Sequence, residues 1–251
     1  MLFPISDDDR HLLRPAYVTI ALMAANVLLF FHQLSHPEFT SGFSVIPAEI
    51  VKGADLVGAV LVRSDRGLVE IPQAPGPVPI HLTLLTAMFM HGGWAHLGGN
   101  MLYLWIFGDN VEHRFGSLRF LAFYLASGLA ATFAQIAMDP GSVIPNLGAS
   151  GAISGVLGAY LVLFPHNRVM AVFLFRLVSI PAVFVLGLWA VTQVFSGMGS
   201  LGNTGSTGGV AYAAHIGGFV AGVVAGVIAR LTLKTEPDTP FRRIYERRHP
   251  R

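Results

Sequence analysis

From residue 177 to residue 229 the chain contains no Asp, Glu, Lys or Arg. An ordinary soluble domain carries about 25% charged residues, so water does not solvate a stretch of this kind. Over the whole chain the charged residues amount to 12% and the hydrophobic ones to 53%. That balance describes a protein whose solvent is lipid. It excludes a soluble enzyme, a disordered tail and a nucleic-acid module as descriptions of the whole. The chain has no cysteine, which excludes disulfides, thiol catalysis and Cys-based metal sites.

Lipid offers backbone groups no hydrogen-bond partners, so a span is a helix of about 20 mostly apolar residues. Six stretches fit: 16–34, 95–111, 118–138, 147–164, 177–195 and 210–233. The expected fold class is all-α, a polytopic membrane protein with a six-helix bundle over 16–233. A cytoplasmic segment 1–15 precedes it and a basic cytoplasmic tail 234–251 follows. No sheet-forming segment is expected. The first span does not read as a signal peptide, because Asp7, Asp8 and Asp9 precede it and no small-residue cleavage site follows. The long outside loop 35–80, punctuated by Pro72, Pro75, Pro77 and Pro79, is expected to be partly ordered and to lie in the interface.

Lys and Arg in short flanks set orientation. With the N-terminus inside, the inner flanks hold Arg10, Arg14, Arg114, Arg119, Arg168, Arg230 and the basic tail, with Arg176 snorkelling from the inner edge of the fifth span. The outer loops hold only Lys52, Arg63 and Arg66. Both termini are therefore expected in the cytoplasm. Compactness and the lack of a targeting presequence point to a bacterial cell membrane.

Polar side chains inside a span are costly and start as functional candidates. Asn26 and Gln135 read as glue between helices, His32 as a wetted interfacial residue, and Gln193, beside Trp189, as an interfacial or gate residue. His96, Asn100, Ser150 and His215 form a different group. All lie near the starts of the second, fourth and sixth spans, which run in the same direction, so they share one depth below the outer surface. Gly148, Gly151, Gly155 and Gly158 make a smooth stripe on the fourth span, and Gly218, Gly222 and Gly226 make another on the His215 face of the sixth. Two such stripes let helices approach closely and would set Ser150 beside His215.

Serine needs a base to take its proton, and neutral histidine is the usual one. No carboxylate lies at that depth in a span to orient that histidine, so Ser150 and His215 read as a dyad. The sequence around Ser150 lacks the last glycine of G-x-S-x-G, since Ala152 stands there, which argues against a hydrolase elbow. The oxyanion of an acyl transfer needs donors. Backbone N–H groups at the helix start supply one, and His96 and Asn100, four apart on one face, supply two more. His91 reads as a loop anchor. A metal site of His91, His96 and His215 is disfavoured by the absence of H-E-x-x-H and of any carboxylate at that depth, and no cofactor is expected.

These residues resemble the rhomboid family of intramembrane serine proteases. The resemblance rests on His91, His96 and Asn100, on Glu112, Arg114 and Gly116, on Gly148-Ala149-Ser150-Gly151, and on Ala214-His215-Ile216-Gly217-Gly218 with Gly222. It implies Ser150 as nucleophile, His215 as general base and an oxyanion hole of His96, Asn100 and the Ser150 N–H. His91, Gly148, Gly151, Gly218 and Gly222 would support them. Partners would be membrane lipid and transmembrane-helix substrates with helix-weakening residues near the cut, entering beside the fifth span. Family members often carry an aromatic residue four positions after the nucleophile, packed on the catalytic histidine. Here Ser154 stands there, so the sequence does not identify what holds the His215 ring. Ser154 itself lies one turn too deep to be the nucleophile. Two other classes remain: a catalytically dead relative that retains membrane helices, and a transporter, whose marks of intramembrane carboxylates and inverted repeats are missing.

Overall fold

The computed structural model describes residues 2–8, 15–64, 67–201 and 211–233. Arg10, Arg14, Arg66, the connection 202–210 and the tail 234–251, on which the expected orientation partly rests, lie outside the described residues. A strand β1 (Leu2–Ser6) comes first, then α1 (Tyr17–Ser35). The long loop carries two short helices, α2 (Pro37–Gly42) and α3 (Pro47–Lys52), and a hairpin of β2 (Gly58–Ser64) with β3 (Gly67–Gln73). A one-turn helix α4 (Thr83–Thr86) leads to α5 (Trp94–Phe115), followed by α6 (Ser117–Met138) and α7 (Ser150–Leu163). Strands β4 (Arg168–Phe173) and β5 (Arg176–Pro181) separate α7 from α8 (Ala182–Leu201), and α9 (Tyr212–Thr232) closes the described chain.

The protein is mostly helical, and α1, α6 and α9 are long and apolar enough to cross a membrane. Three sequence expectations need correction. The chain is not purely α: β1, β4 and β5 form an antiparallel sheet in the order β1-β4-β5, beside the separate β2–β3 hairpin. Residues 177–181 do not open the fifth helix but form β5, and the helix begins after Pro181. The apolar run conceals a period of two: Val169 and Ala171 are fully buried while Arg168 is exposed and Met170 and Val172 are only partly covered, the alternation of a half-buried strand. The other correction concerns the fourth span. It starts at Ser150, not residue 147, because Gly148 holds φ +120°, a conformation no helix contains.

Helix α7 is the centre of the molecule. Every residue from Gly151 to Tyr160 is buried, as expected of a helix that is apolar all round. Its widest contact is with α9, and α6 flanks both. Glycine makes this possible. A Cβ on Gly218 would collide with the carbonyl of Gly151, one on Gly222 with the carbonyl of Gly155, and one on Gly158 with the carbonyl of Phe219. The two backbones touch without side chains between them, the close approach that small residues permit in lipid. The third neighbour is small as well, since a Cβ on Gly151 would lie 2.6 Å from the Ala131 Cβ of α6.

Polar clasps hold the ends of the bundle. Helix α1 has no side-chain cap of its own, and Glu112 of α5 supplies one. Its carboxylate accepts the Val18 N–H (3.1 Å), the Thr19 N–H (2.7 Å), the Thr19 hydroxyl (2.8 Å) and the Ser117 hydroxyl (2.6 Å). An anion at a helix N-terminus answers both its free N–H groups and its dipole. Gln135 does the same for α9, accepting the Ala214 N–H at 3.2 Å, so it does link helices. Asn26 does not: its amide donates to Leu22 of its own helix.

The α7–α9 contact yields a direct prediction. Gly222→Ala should lower stability to thermal unfolding in detergent by about 1–3 kcal/mol, the usual cost of overpacking. Gly187→Ala in α8, where a new Cβ meets nothing within 4 Å, should leave it unchanged. The long loop yields another. Burial, with Asp55 adding to it, pushes the Glu49 carboxyl up to about 6, against the N–H of Leu56 that it accepts. A carboxyl that holds its proton better folded than unfolded loses stability for the fold as pH rises. Unfolding measured from pH 4 to 7 should show stability falling through the window between about 4.5 and 6. Glu49→Gln should flatten that slope.

Candidate active site

Ser150 is the first residue of α7, at a helix start with no side-chain cap. The turn before it is pinned from two sides. The Gly148 N–H donates to the Ala87 carbonyl (2.8 Å), and Asn146 exchanges two backbone bonds with Val45 (2.9 and 2.7 Å). Across the glycine contact stands His215 in the first turn of α9. The Ser150 Oγ lies 2.8 Å from the His215 Nε2. Both residues are only half-buried.

The other ring nitrogen settles the direction of that bond. His215 Nδ1 lies 2.8 Å from the Gln193 Oε1 of α8. An amide oxygen only accepts, so Nδ1 carries the hydrogen and donates it. In the neutral ring Nε2 then has a lone pair and accepts the serine O–H. The indole of Trp189, one turn before Gln193, lies 6.1 Å from the His215 ring at a tilt of 35°. Helix α8 thus provides what the missing aromatic at position 154 does not. Ser154 is buried and its hydroxyl donates to the Ser150 carbonyl at 2.7 Å, so it is committed to the backbone.

His96 and Asn100 approach the Ser150 turn from α5. The Gly92 N–H donates to His96 Nδ1 (3.3 Å), which leaves the hydrogen of a neutral ring on Nε2. A Cβ on Gly148 would sit 2.7 Å from that Nε2 and 3.6 Å from Asn100 Nδ2. Two N–H donors therefore face the residue two before Ser150. That closeness, together with φ +120°, requires glycine there. Asn100 is not otherwise unpartnered, as its lack of an evident partner in the sequence suggests: its Nδ2 donates to His91 Nε2 at 2.9 Å. His91 is in turn anchored through its backbone, exchanging two bonds of 3.1 Å with the Gln33 amide of α1. Among the described residues no cluster of three His, Asp or Glu side chains could hold a metal ion.

Two contributors were not singled out in the sequence. Gln33 gave no signal there beyond being an amide one position from the noted His32. Gln193 was noted as an interfacial or gate residue, without a link to His215. The usable signal was the pairing of Trp189 and Gln193 four apart on one helix face, in a chain whose fifth and sixth long apolar stretches hold no carboxylate to orient a histidine.

A family model described as the Rhomboid domain matches residues 81–231, which is more than half of the chain and includes every residue of this constellation except Gln33. Among curated proteins, the chain is 33% identical over 149 residues to Rhomboid protein 1, mitochondrial, of Saccharomyces cerevisiae, covering 56% of this chain and 40% of that protein. It is 47% identical over 87 residues to Rhomboid protease GluP of Bacillus subtilis, covering 35% of this chain and 17% of that protein. Presenilin-associated rhomboid-like protein, mitochondrial, of Bos taurus is 36% identical over 93 residues, with 36% and 25% covered. The chain spans less than half the length of each of these relatives.

Proposed function

The chain belongs to the rhomboid family, and from that premise we propose that it is an intramembrane serine endopeptidase acting through Ser150 and His215. The observation that carries the reading is the bond of 2.8 Å between Ser150 Oγ and His215 Nε2, with His215 Nδ1 engaged by Gln193. His215 takes the serine proton as Oγ attacks a peptide carbonyl, and returns it to the leaving amine. Gln193 holds the tautomer in which Nε2 is basic. The developing oxyanion is met by the His96 Nε2–H, an Asn100 amide hydrogen and the Ser150 N–H, donors that act mainly on the transition state.

In this reading α5, α7 and α8 join α1, α6 and α9 to make six spans. Helix α7 has 14 residues, about 21 Å at 1.5 Å each, against a hydrocarbon thickness of about 30 Å. Enclosed by its neighbours, it need not match the bilayer. With its C-terminal end at one surface, Ser150 sits roughly 9 Å below the other. That is a depth for cleaving membrane-spanning substrates. The substrates are transmembrane helices with helix-weakening residues near the cut, whose carbonyls are free to enter the site. Both termini lie on the side of the arginine-rich flanks, which in a bacterial cell is the cytoplasmic face of the plasma membrane.

Cleavage of a transmembrane substrate by purified protein in liposomes tests the dyad. Ser150→Ala and His215→Ala should each reduce kcat by at least about 10³-fold, since nucleophile and base act as a unit. Ser154→Ala should retain substantial activity, and loss confined to Ser154→Ala would refute the assignment. A separate outcome tests the ring's support. Gln193→Leu should lower kcat about 10–10²-fold, less than loss of a charged orienting group, with KM nearly unchanged. Gln193→Glu, which keeps an acceptor for Nδ1–H, should recover much of that loss.

A further inference from the structure

At the opposite end of α7 from Ser150, strands β4 and β5 are joined by a two-residue turn, Leu174–Phe175, since Phe173 pairs with Arg176. Both turn residues have positive φ, 45° and 63°, and they are the only non-glycine residues among those described to do so. Tight turns of this kind normally take Asn-Gly, because a bulky side chain is strained there. Packing within the protein does not offset the strain. Leu174 is 70% exposed and Phe175 is completely exposed.

The exposed apolar surface continues into the strands. Phe3, Val172 and Leu177 face one another across β1, β4 and β5, and Phe3 and Leu177 are largely uncovered, as is Phe173 beside the turn. The sheet as a whole is not loose. Val169 and Ala171 are fully buried, and the Ala182 and Val183 N–H groups donate to the carbonyls of Asn167 and Pro165. The hairpin is thus held rigidly across the ends of α7 and α8, level with one edge of the bundle. Its charge has one sign. Arg168 and Arg176 are exposed, and no Asp or Glu occurs from residue 164 to residue 181.

We propose that the β1-β4-β5 sheet is an interfacial anchor, with Leu174 and Phe175 inserted among the acyl chains of the leaflet nearest it and Arg168 and Arg176 on the phosphates of its headgroups. An apolar tip with Arg176 beside it and Arg168 at the base of the hairpin, where its Nε donates to the Ser179 hydroxyl, offers groups to both layers of that boundary, hydrocarbon and anionic oxygen. A strained turn of two bulky apolar residues has a use there that it lacks in water. Because β5 runs directly into α8, the anchor fixes the depth of the helix that carries Trp189 and Gln193. The inference does not depend on chemistry at Ser150.

The absence of cysteine makes the test direct. Single variants Leu174→Cys, Phe175→Cys and Leu177→Cys, and Glu70→Cys on the exposed β3 strand as reference, would carry a nitroxide in the full chain. They would be reconstituted in phosphatidylcholine–phosphatidylglycerol bilayers. Collision rates with oxygen, which concentrates in hydrocarbon, and with a water-soluble nickel chelate would then be compared. At 174, 175 and 177 the oxygen-to-nickel ratio should exceed that at 70 several-fold. A ratio no higher than that of a water-soluble nitroxide in the same buffer would put the tip in water and overturn the proposal. Protection from both agents would overturn it too, in favour of cover by protein such as a second copy. A double variant, Leu174→Asn with Phe175→Gly, relieves the turn strain and removes the anchor while the fold stays intact, as a thermal midpoint in detergent no lower than the parent's would verify. In that background the ratio at Leu177→Cys should fall several-fold, and an unchanged ratio would show that the tip is not what anchors the sheet.

Discussion

The contact on which the molecule depends is the meeting of two backbones, α7 and α9, with no side chains between them. In lipid, apolar side chains gain nothing by leaving solvent for a neighbouring helix, so helices associate through close packing and hydrogen bonds. The carbonyls of Gly151 and Gly155 occupy the spaces where Cβ atoms of residues 218 and 222 would be. This interlock fixes both the separation and the axial register of the helices. Ser150 is one residue before Gly151 and His215 three before Gly218. Their side chains meet at 2.8 Å as a consequence of the register, and no flexible segment needs to bring them together.

A bundle built this way leaves its polar groups to be managed locally. At one end Glu112 serves the first turn of α1 and reaches Ser117 at the start of α6, tying three helices through one carboxylate. At the other, the Gln33 amide clasps the backbone of His91, and His91 receives the N–H of Asn100. A chain of bonds thus runs from the outer part of α1 to the edge of the Ser150 turn. In the proposed reading Asn100 consequently has two tasks for its amide hydrogens. One is fixed on His91, which sets the orientation of the amide and directs the remaining hydrogen. A donor oriented before substrate arrives has no reorganisation to undergo when charge develops.

Much of this was legible in the sequence, and the limits follow from physics. The glycine stripes and the shared depth of His96, Asn100, Ser150 and His215 are properties of helical period and span direction, both readable from spacing. The helix starts near 95, 118 and 210 were read to within a few residues for the same reason. Residues 177–181 were not, because hydropathy sums over residues and ignores whether they alternate. A strand buried on one face and lipid-facing on the other is apolar throughout, and it reads as part of a span. The start of α7 was missed by three residues because the positive φ of Gly148 is set by tertiary contacts with His96 and Ala87. Gln33 reaches His91 across 58 residues of chain, a long-range contact for which a single sequence has no signal.

The support of His215 shows how the division of labour is arranged. The distance between Ser150 and His215 belongs to α7 and α9, whose backbones interlock at their glycines. The rotation of the imidazole belongs to α8, through Gln193 at 2.8 Å and Trp189 beside it. Helix α8 is the less enclosed partner: Phe184, Leu188, Val191, Val194 and Phe195 are all exposed on it. A cavity of about 310 Å³ lies between its Trp189–Phe195 stretch and Ile216, Phe219 and Val220 of α9. Packing on that side is looser than between α7 and α9. Proximity and alignment are thus assigned to different helix pairs, the first through interlocked glycine backbones and the second through the Gln193 amide and the Trp189 ring.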